Sequence, residues 1–233
     1  MGIFSKKINP LTKAKTISLG EKFEVVLSSL DRMESQPGID GEMHKIPEAH
    51  RKTRISRQAG ELIYQLYLEQ KPDLSLEIGL AFGHSTIYIL SAIHALNAGH
   101  HLAMDPYQKR LGGVGAYHGK RLGMEDHFDW IDEFSERALP VLATQGKRVQ
   151  FVFIDGGHLF DNVFVDFFLS SQILDNDGLI IFDDFWMESV QRVVRFIEAN
   201  RHDFKRLNCD VAGLAIFRKV GSDDRNWDHY RSF

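Results

Sequence analysis

The chain has 233 residues and a formal net charge of -4, a balance that argues against a nucleic-acid protein, whose domains carry an excess of Lys and Arg. Its 43% hydrophobic and 26% charged content suits one large globular domain plus a short extension. The single cysteine, Cys209, excludes an internal disulfide and makes a reducing, cytoplasmic setting the default, and no apolar run reaches the length of a membrane span.

The opening, Met1-Gly2-Ile3-Phe4-Ser5-Lys6, lacks the apolar core of a secretory signal. It also departs from an N-myristoylation site, because Lys6 stands where a hydroxyl residue belongs. Residues 1–55 are mixed and polar, with weak periodicity, and read as an extension or flap. Within them, Gln36-Pro37-Gly38-Ile39-Asp40-Gly41 marks a turn. The basic cluster His50, Arg51, Lys52, Arg54 and Arg57 reads first as a solvated face and second as a flap attracting an anionic substrate.

From Ser56 onward the pattern is regular. Ala59, Leu62, Ile63 and Leu66 mark one helical face, which Pro72 terminates. Residues 74–78 form a first strand. A helix over 85–98 carries Ile89, Leu90, Ile93 and Leu96 on one side, with Gly99 as its stop. Residues 101–104 form a second strand, followed by a glycine-rich loop over 112–123. A third strand, 128–131, leads to a helix that Ser135 is expected to cap. The fourth strand, 149–154, is apolar on both faces. Phe160, Val163, Phe164, Phe167 and Phe168 then give a helical core stripe. A turn at Asn176-Asp177-Gly178 precedes the fifth strand, 179–182, and Val190, Val193, Val194 and Ile197 repeat the helical spacing. Two late strands, near 206–208 and 214–217, have only a short loop between them and read as an antiparallel hairpin. The alternation predicts a doubly wound, Rossmann-like α/β fold, with a mainly parallel seven-stranded sheet and one antiparallel strand beside the fifth.

In such a sheet ligands sit at the carboxyl ends of the strands. Four strand ends here carry acids: Glu77, Asp105, Asp155 and the pair Asp183-Asp184. After the first strand, Gly79 and Gly83 let the backbone turn beneath a ligand. The dinucleotide fingerprint fails at Ala81 and His84, which counts against an NAD dehydrogenase. Asp105, about 22 residues after Gly83, has the spacing of a ribose-binding acid. Turn and acid together favour an adenosine-containing ligand.

The segments LEIGLAFGHS, MDPYQ, ERALP, FIDGGH, FVDFF, GLIIFDDF and VVRFI resemble the class I S-adenosylmethionine methyltransferases, and more narrowly the methyltransferase-24 family, over residues 56–218. The resemblance implies a methyltransferase domain over 56–220 with a C-terminal tail over 221–233. It places Glu77, Gly79, Ala81, Gly83 and Ser85 at the methionine end of S-adenosylmethionine and Asp105 on the ribose. It lays the 132–135 segment, with Glu133 and Ser135, against the adenine, and turns Asp155 toward the sulfonium and the acceptor. Asp155, Asp183 and Asp184 would repel one another without a cation, and oxygen ligands suit Mg²⁺ or Mn²⁺. The macrolide-sugar and catechol O-methyltransferases have a similar arrangement. His158 holds the offset at which catechol-type enzymes carry a lysine base, and histidine suits that work. His84, Tyr107, Tyr117, His118 and Trp186 lie on loops near the expected crevice.

The expected activity is O-methylation of a small hydroxylated molecule, a sugar or secondary metabolite, without nucleic-acid or membrane partners and with room for a homo-oligomer. The alternatives are an iron-dependent hydroxylase-like relative on the same fold and a catalytically silent cofactor-binding subunit.

Overall fold

The computed structural model describes residues 17–52 and 54–233. The readings made at residues 1–6 lie outside them. The central sheet contains β1 (Leu74–Ile78), β2 (His100–Met104), β3 (Phe128–Ile131), β4 (Val149–Ile154), β5 (Leu174–Phe182), β6 (Phe204–Leu207) and β7 (Ala215–Lys219). Their spatial order is β3-β2-β1-β4-β5-β7-β6. The first five strands run parallel, while β7 pairs antiparallel with both β5 and β6. The expected seven-stranded, doubly wound sheet with one antiparallel strand beside the fifth is therefore present, and no helix interrupts residues 208–214. The chain reverses its direction of winding between β1 and β4, which opens a crevice above their carboxyl ends.

Seven α-helices are described: α1 (Glu21–Asp31), α2 (Arg57–Gln70), α3 (His84–Leu96), α4 (His118–Leu122), α5 (Ser135–Thr144), α6 (Phe160–Ile173) and α7 (Glu188–Asn200). β4 shows why the sheet needs helices on both faces. Phe151 and Phe153 enter the core shared with α1, α2 and α3, while Val152 and Ile154 enter the core under α5, α6 and α7. At the head of α2, the Ser56 hydroxyl accepts the Ala59 N–H at 3.1 Å. That helix ends on Lys71 in the left-handed region, just before Pro72.

Several local expectations give way. The stretch before residue 56 is built into the molecule from Leu19 onward. Phe23, Val26, Leu27 and Leu30 recur at helical spacing along α1 and are buried. The periodicity is present there but is diluted by the polar residues around it. Asn97, not Gly99, takes the left-handed cap of α3. Phe134, not Ser135, caps α5, because the Ser135 hydroxyl is committed elsewhere. Phe168 is 45% exposed, and the buried face of α6 runs through Val163, Asp166, Phe167 and Ser170. Its aromatic stripe is wider than the surface the sheet covers, so Phe164 instead packs edge-on against Phe196 of α7. Residues 221–233 lie back along α7, where Asn200 exchanges two hydrogen bonds with the Arg231 backbone.

Candidate active site

The turn between β1 and α3 is shaped by what it touches. Gly79 has φ +90°, and a Cβ there would fall 2.0 Å from the Asp155 carbonyl oxygen. The first and fourth strand ends therefore meet backbone to backbone. Ala81 also lies in the left-handed region, at φ 44°. A Cβ on Gly83 would press on the His118 ring at 2.5 Å. The turn is narrow and shaped by these close contacts.

Two acids expected at the ligand support this turn from below. Glu77 is fully buried; Ser85 and Thr86 donate to its two oxygens, and His101 Nε2 lies 2.9 Å from Oε2. Glu77 and Ser85 are thus joined to each other beneath the turn, and three internal contacts share the two Glu77 oxygens. Asp105, 5% exposed, accepts from the backbone N–H groups of Leu80, Ala81 and Tyr107 and from the Gln108 amide. It ties the β2 loop to the turn. Any hydroxyl reaching it has to share these lone pairs.

At the end of β3, Asp132 pairs with Lys109, and Glu133 accepts the Phe134 N–H and faces Arg137. The Ser135 hydroxyl donates to Asp166 of α6, a residue the sequence reading passed over. Asp166 is 2% exposed, and its burial pushes the carboxyl up to about 6, with the Ser135 hydrogen bond opposing and Glu136 adding to the rise. The folded protein therefore binds this proton more tightly than the unfolded chain. Stability contributed by the protonated form is present below the unfolded value and is lost as pH rises toward 6. Asp166→Asn is expected to raise the unfolding free energy at pH 8 by up to about 3 kcal/mol and to change it little near pH 4. Urea titrations at the two pH values measure this difference, and equal effects at both would refute it.

The β4 and β5 ends supply the acid cluster. One ligand atom each from Asp155, His158 and Asp184 lies within 4.8 Å of the others. His158 Nε2 is 2.7 Å from Asp184 Oδ2 and 3.8 Å from Asp155 Oδ1. Asp183 stands outside this group, although the expected set included it and placed His158 beside the set. The reason is the backbone. Asp183 extends β5 and has Oδ1 4.0 Å from a Cβ built on Gly213, whereas Asp184 turns back toward His158 at φ 50°. The Trp186 indole donates to Asp184 Oδ1 at 2.7 Å.

The charges in this cluster are unequal. Burial, then Asp183, Asp184 and Glu77, hold the Asp155 carboxyl well above the ordinary range. Burial raises Asp183 to about 6. His158 lowers Asp184, and Asp184 in turn raises His158.

Other residues singled out in the sequence are engaged elsewhere. His84 lies 3.2 Å from His50 and 3.6 Å from Asp31, and His118 Nε2 is 2.8 Å from the Phe82 carbonyl. In the basic cluster, Arg51 pairs with Glu48, Arg54 with Asp31, and Arg57 with Glu24 and Glu61.

Residues 76–185 match the family model of the methyltransferase-24 group, described as a methyltransferase domain. An uncharacterized protein, R132, of Acanthamoeba polyphaga mimivirus is 30% identical over 87 residues, a match covering 33% of this chain and 39% of that protein's length. Three solved structures share the fold at low identity. The O-methyltransferase of Bacillus cereus, in complex with S-adenosylhomocysteine, has a TM-score of 0.65 at 17% identity, covering 87% of this chain and 93% of that one. TomG of Streptomyces achromogenes, an O-methyltransferase of tomaymycin synthesis bound to S-adenosylmethionine, has 0.65 at 18%, covering 84% and 90%. The methyltransferase PaMTH1 of Podospora anserina, bound to S-adenosylhomocysteine, has 0.62 at 16%, covering 89% and 99%. The matched segment spans β1, the glycine turn and the acids of β4 and β5. Residues 76–185, a little under half of the chain, resemble a methyltransferase-24 domain, and the seven-stranded sheet around them has the fold of these three methyltransferases.

Proposed function

We propose that the enzyme transfers the methyl group of S-adenosylmethionine to a hydroxyl of a small acceptor, a sugar or secondary metabolite, in the cytoplasm. The observation that carries this reading is the contact between the glycine turn and the acid cluster. Gly79 touches the Asp155 backbone, so a sulfonium seated at the turn lies next to Asp155, His158 and Asp184. Two of the structural neighbours, the Bacillus cereus enzyme and TomG, are O-methyltransferases, which supports the choice of acceptor atom.

The sulfonium methyl is electrophilic without assistance, so the protein has to align the acceptor and strip its proton. His158 is placed to take that proton. Its ring is half-buried beside Asp184, which strengthens it as a base and stabilises the imidazolium that forms. Asp155 faces the same space and holds the acceptor's approach.

The donor set also fits a divalent cation. A buried carboxylate raised by its neighbours, beside a second acid already compensated by a histidine, is the environment that Mg²⁺ or Mn²⁺ relieves. Asp155 and Asp184 would hold it, with Asp183 behind them. Such an ion lowers the pKa of an acceptor hydroxyl and orients it.

The base reading has a definite pH signature. A base works deprotonated, and His158 is raised above its ordinary value, so turnover is expected to fall as pH drops through a limb above about 6.5. His158→Ala should erase that limb and impair turnover by roughly 10²-fold at neutral pH. Chelation should lower wild-type turnover, and Mg²⁺ or Mn²⁺ should restore it. The assay is transfer of labelled methyl into a library of hydroxylated metabolites across pH 5–9. A limb that persists in His158→Ala would exclude this residue as the base.

A further inference from the structure

A cavity of about 200 Å³ lies where the end of α1 meets the heads of α2 and α3. A water's share of liquid volume is about 30 Å³, so several water-sized groups fit inside. Arg51, Arg54 and Arg57 line it against one carboxylate, Asp31, whose charge Arg54 offsets by pairing with it. The acids that pair with Arg51 and Arg57, namely Glu48, Glu24 and Glu61, stand outside the lining. The backbone adds to the positive field. α2 leads back into β1 and α3 leads out of the glycine turn, so both helices present their N-termini at the sheet's carboxyl edge, and neither carries an acid in its first turn.

His84, on the cavity wall, is 5% exposed, and its Nε2 has no hydrogen-bond partner among the described residues. Asp31 Oδ1 stands off at 3.6 Å, beyond hydrogen-bond reach. The facing carboxylate still assigns the proton to Nε2, which leaves Nδ1 to accept from His50 Nε2 at 3.2 Å. His84 thus holds a buried N–H at the cavity with no acceptor in contact, a costly arrangement unless something fills the gap. Guanidiniums lie on the same walls. Each carries five N–H donors in a fork that matches an oxyanion, more than one carboxylate partner uses.

We propose that this cavity binds an oxyanion, a phosphate or carboxylate group, with His84 Nε2–H and the Arg51 and Arg54 guanidiniums as its donors. The anion is either a free ion or a charged group on the acceptor, since the cavity and Asp155 share the carboxyl edge of the sheet.

Calorimetry with inorganic phosphate, against chloride at equal ionic strength, tests the site without any methyl transfer, so its failure leaves the methyltransferase reading untouched. The wild type is expected to bind phosphate with a Kd on the order of 1 mM. Arg51→Met, at a half-exposed side chain, should weaken binding about tenfold, and His84→Ala at least as much. Arg192→Met, equally exposed on α7, should change nothing. No heat beyond that of chloride from the wild type overturns the site, whether or not the variants fold. So does equal binding by the wild type and folded Arg51→Met, or a loss in Arg192→Met as large as that in Arg51→Met. Phosphate added to the methyl-transfer assay then separates the two sources. Inhibition that acceptor overcomes marks a charged group on the acceptor, and unchanged turnover marks a free ion.

Discussion

Asp155→Asn is expected to reduce turnover by about 10²–10³-fold while making the protein harder to unfold. The two effects have one cause. Asp155 is held well above the ordinary carboxylate range by its burial and by Asp183, Asp184 and Glu77, so keeping it ionised costs folding free energy. The native state binds its proton more tightly than the unfolded chain does, and stability falls as pH rises through the window between the two pKa values. Asparagine keeps the shape and removes the charge, so its stabilising effect should grow with pH. The catalytic cost has the opposite sign. In the role proposed for it, a carboxylate that places the acceptor and would hold a cation is worth several kcal/mol in the transition state, and each 1.36 kcal/mol is about tenfold in rate. Thermal melts and single-turnover methyl transfer, run on one preparation, measure both. Turnover within about threefold of wild type would remove Asp155 from the chemistry. A lower melting temperature would contradict the charge argument.

Glu77→Ala is expected to cost about 3–5 kcal/mol of stability, because it leaves three buried donors without their acceptor, each loss costing roughly 1–3 kcal/mol. Glu77 and His101 are both fully buried and 2.9 Å apart. The network runs on from His101 Nδ1 to the Ser75 hydroxyl at 2.9 Å and from there to Tyr67 at 3.1 Å. On the other side Ser85 and Thr86 donate to Glu77 from the first turn of α3. Alanine would orphan three donors at once and leave a void under the glycine turn. Glu77→Gln, which keeps one acceptor, should cost less. Urea unfolding of the two variants gives the comparison, and a loss below about 1 kcal/mol for alanine would show that water replaces the carboxylate.

These two acids also mark what the sequence discloses and what it hides. The alternation of strands and helices after Ser56 is legible because each element buries a face with its own period. The antiparallel β7 is legible because seven residues cannot hold a crossover helix. The acids at the strand ends are legible as a set, but their division of labour is not. Glu77 lies inside its strand opposite Phe153, and Asp155 follows the end of the neighbouring strand; Glu77 meets three internal donors, whereas Asp155 has His158 Nε2 at 3.8 Å. What separates them is His101, a buried strand residue that nothing in its local pattern singles out. Asp166 was legible in principle. It interrupts the buried face of α6 between Val163 and Phe167, and a charged residue on an apolar stripe invites the question of what it binds. Asp183 and Asp184 look interchangeable as letters, and only the backbone between them sends one to the cluster and the other toward β7.

That backbone sets an unusual order of tolerance at position 184. The residue sits at φ 50°, in the left-handed region. Asp, Asn and Gly enter that region at little cost, and longer side chains enter it less readily. Glutamate, the nearest relative of aspartate by charge, is thus a poorer replacement for the main chain than asparagine, which carries no charge at all. Chemical kinship and conformational kinship rank the substitutes in opposite order here. An Asp184→Glu protein that loses activity would report a displaced loop as readily as a displaced carboxylate, whereas Asp184→Asn removes the charge and leaves the loop where it was.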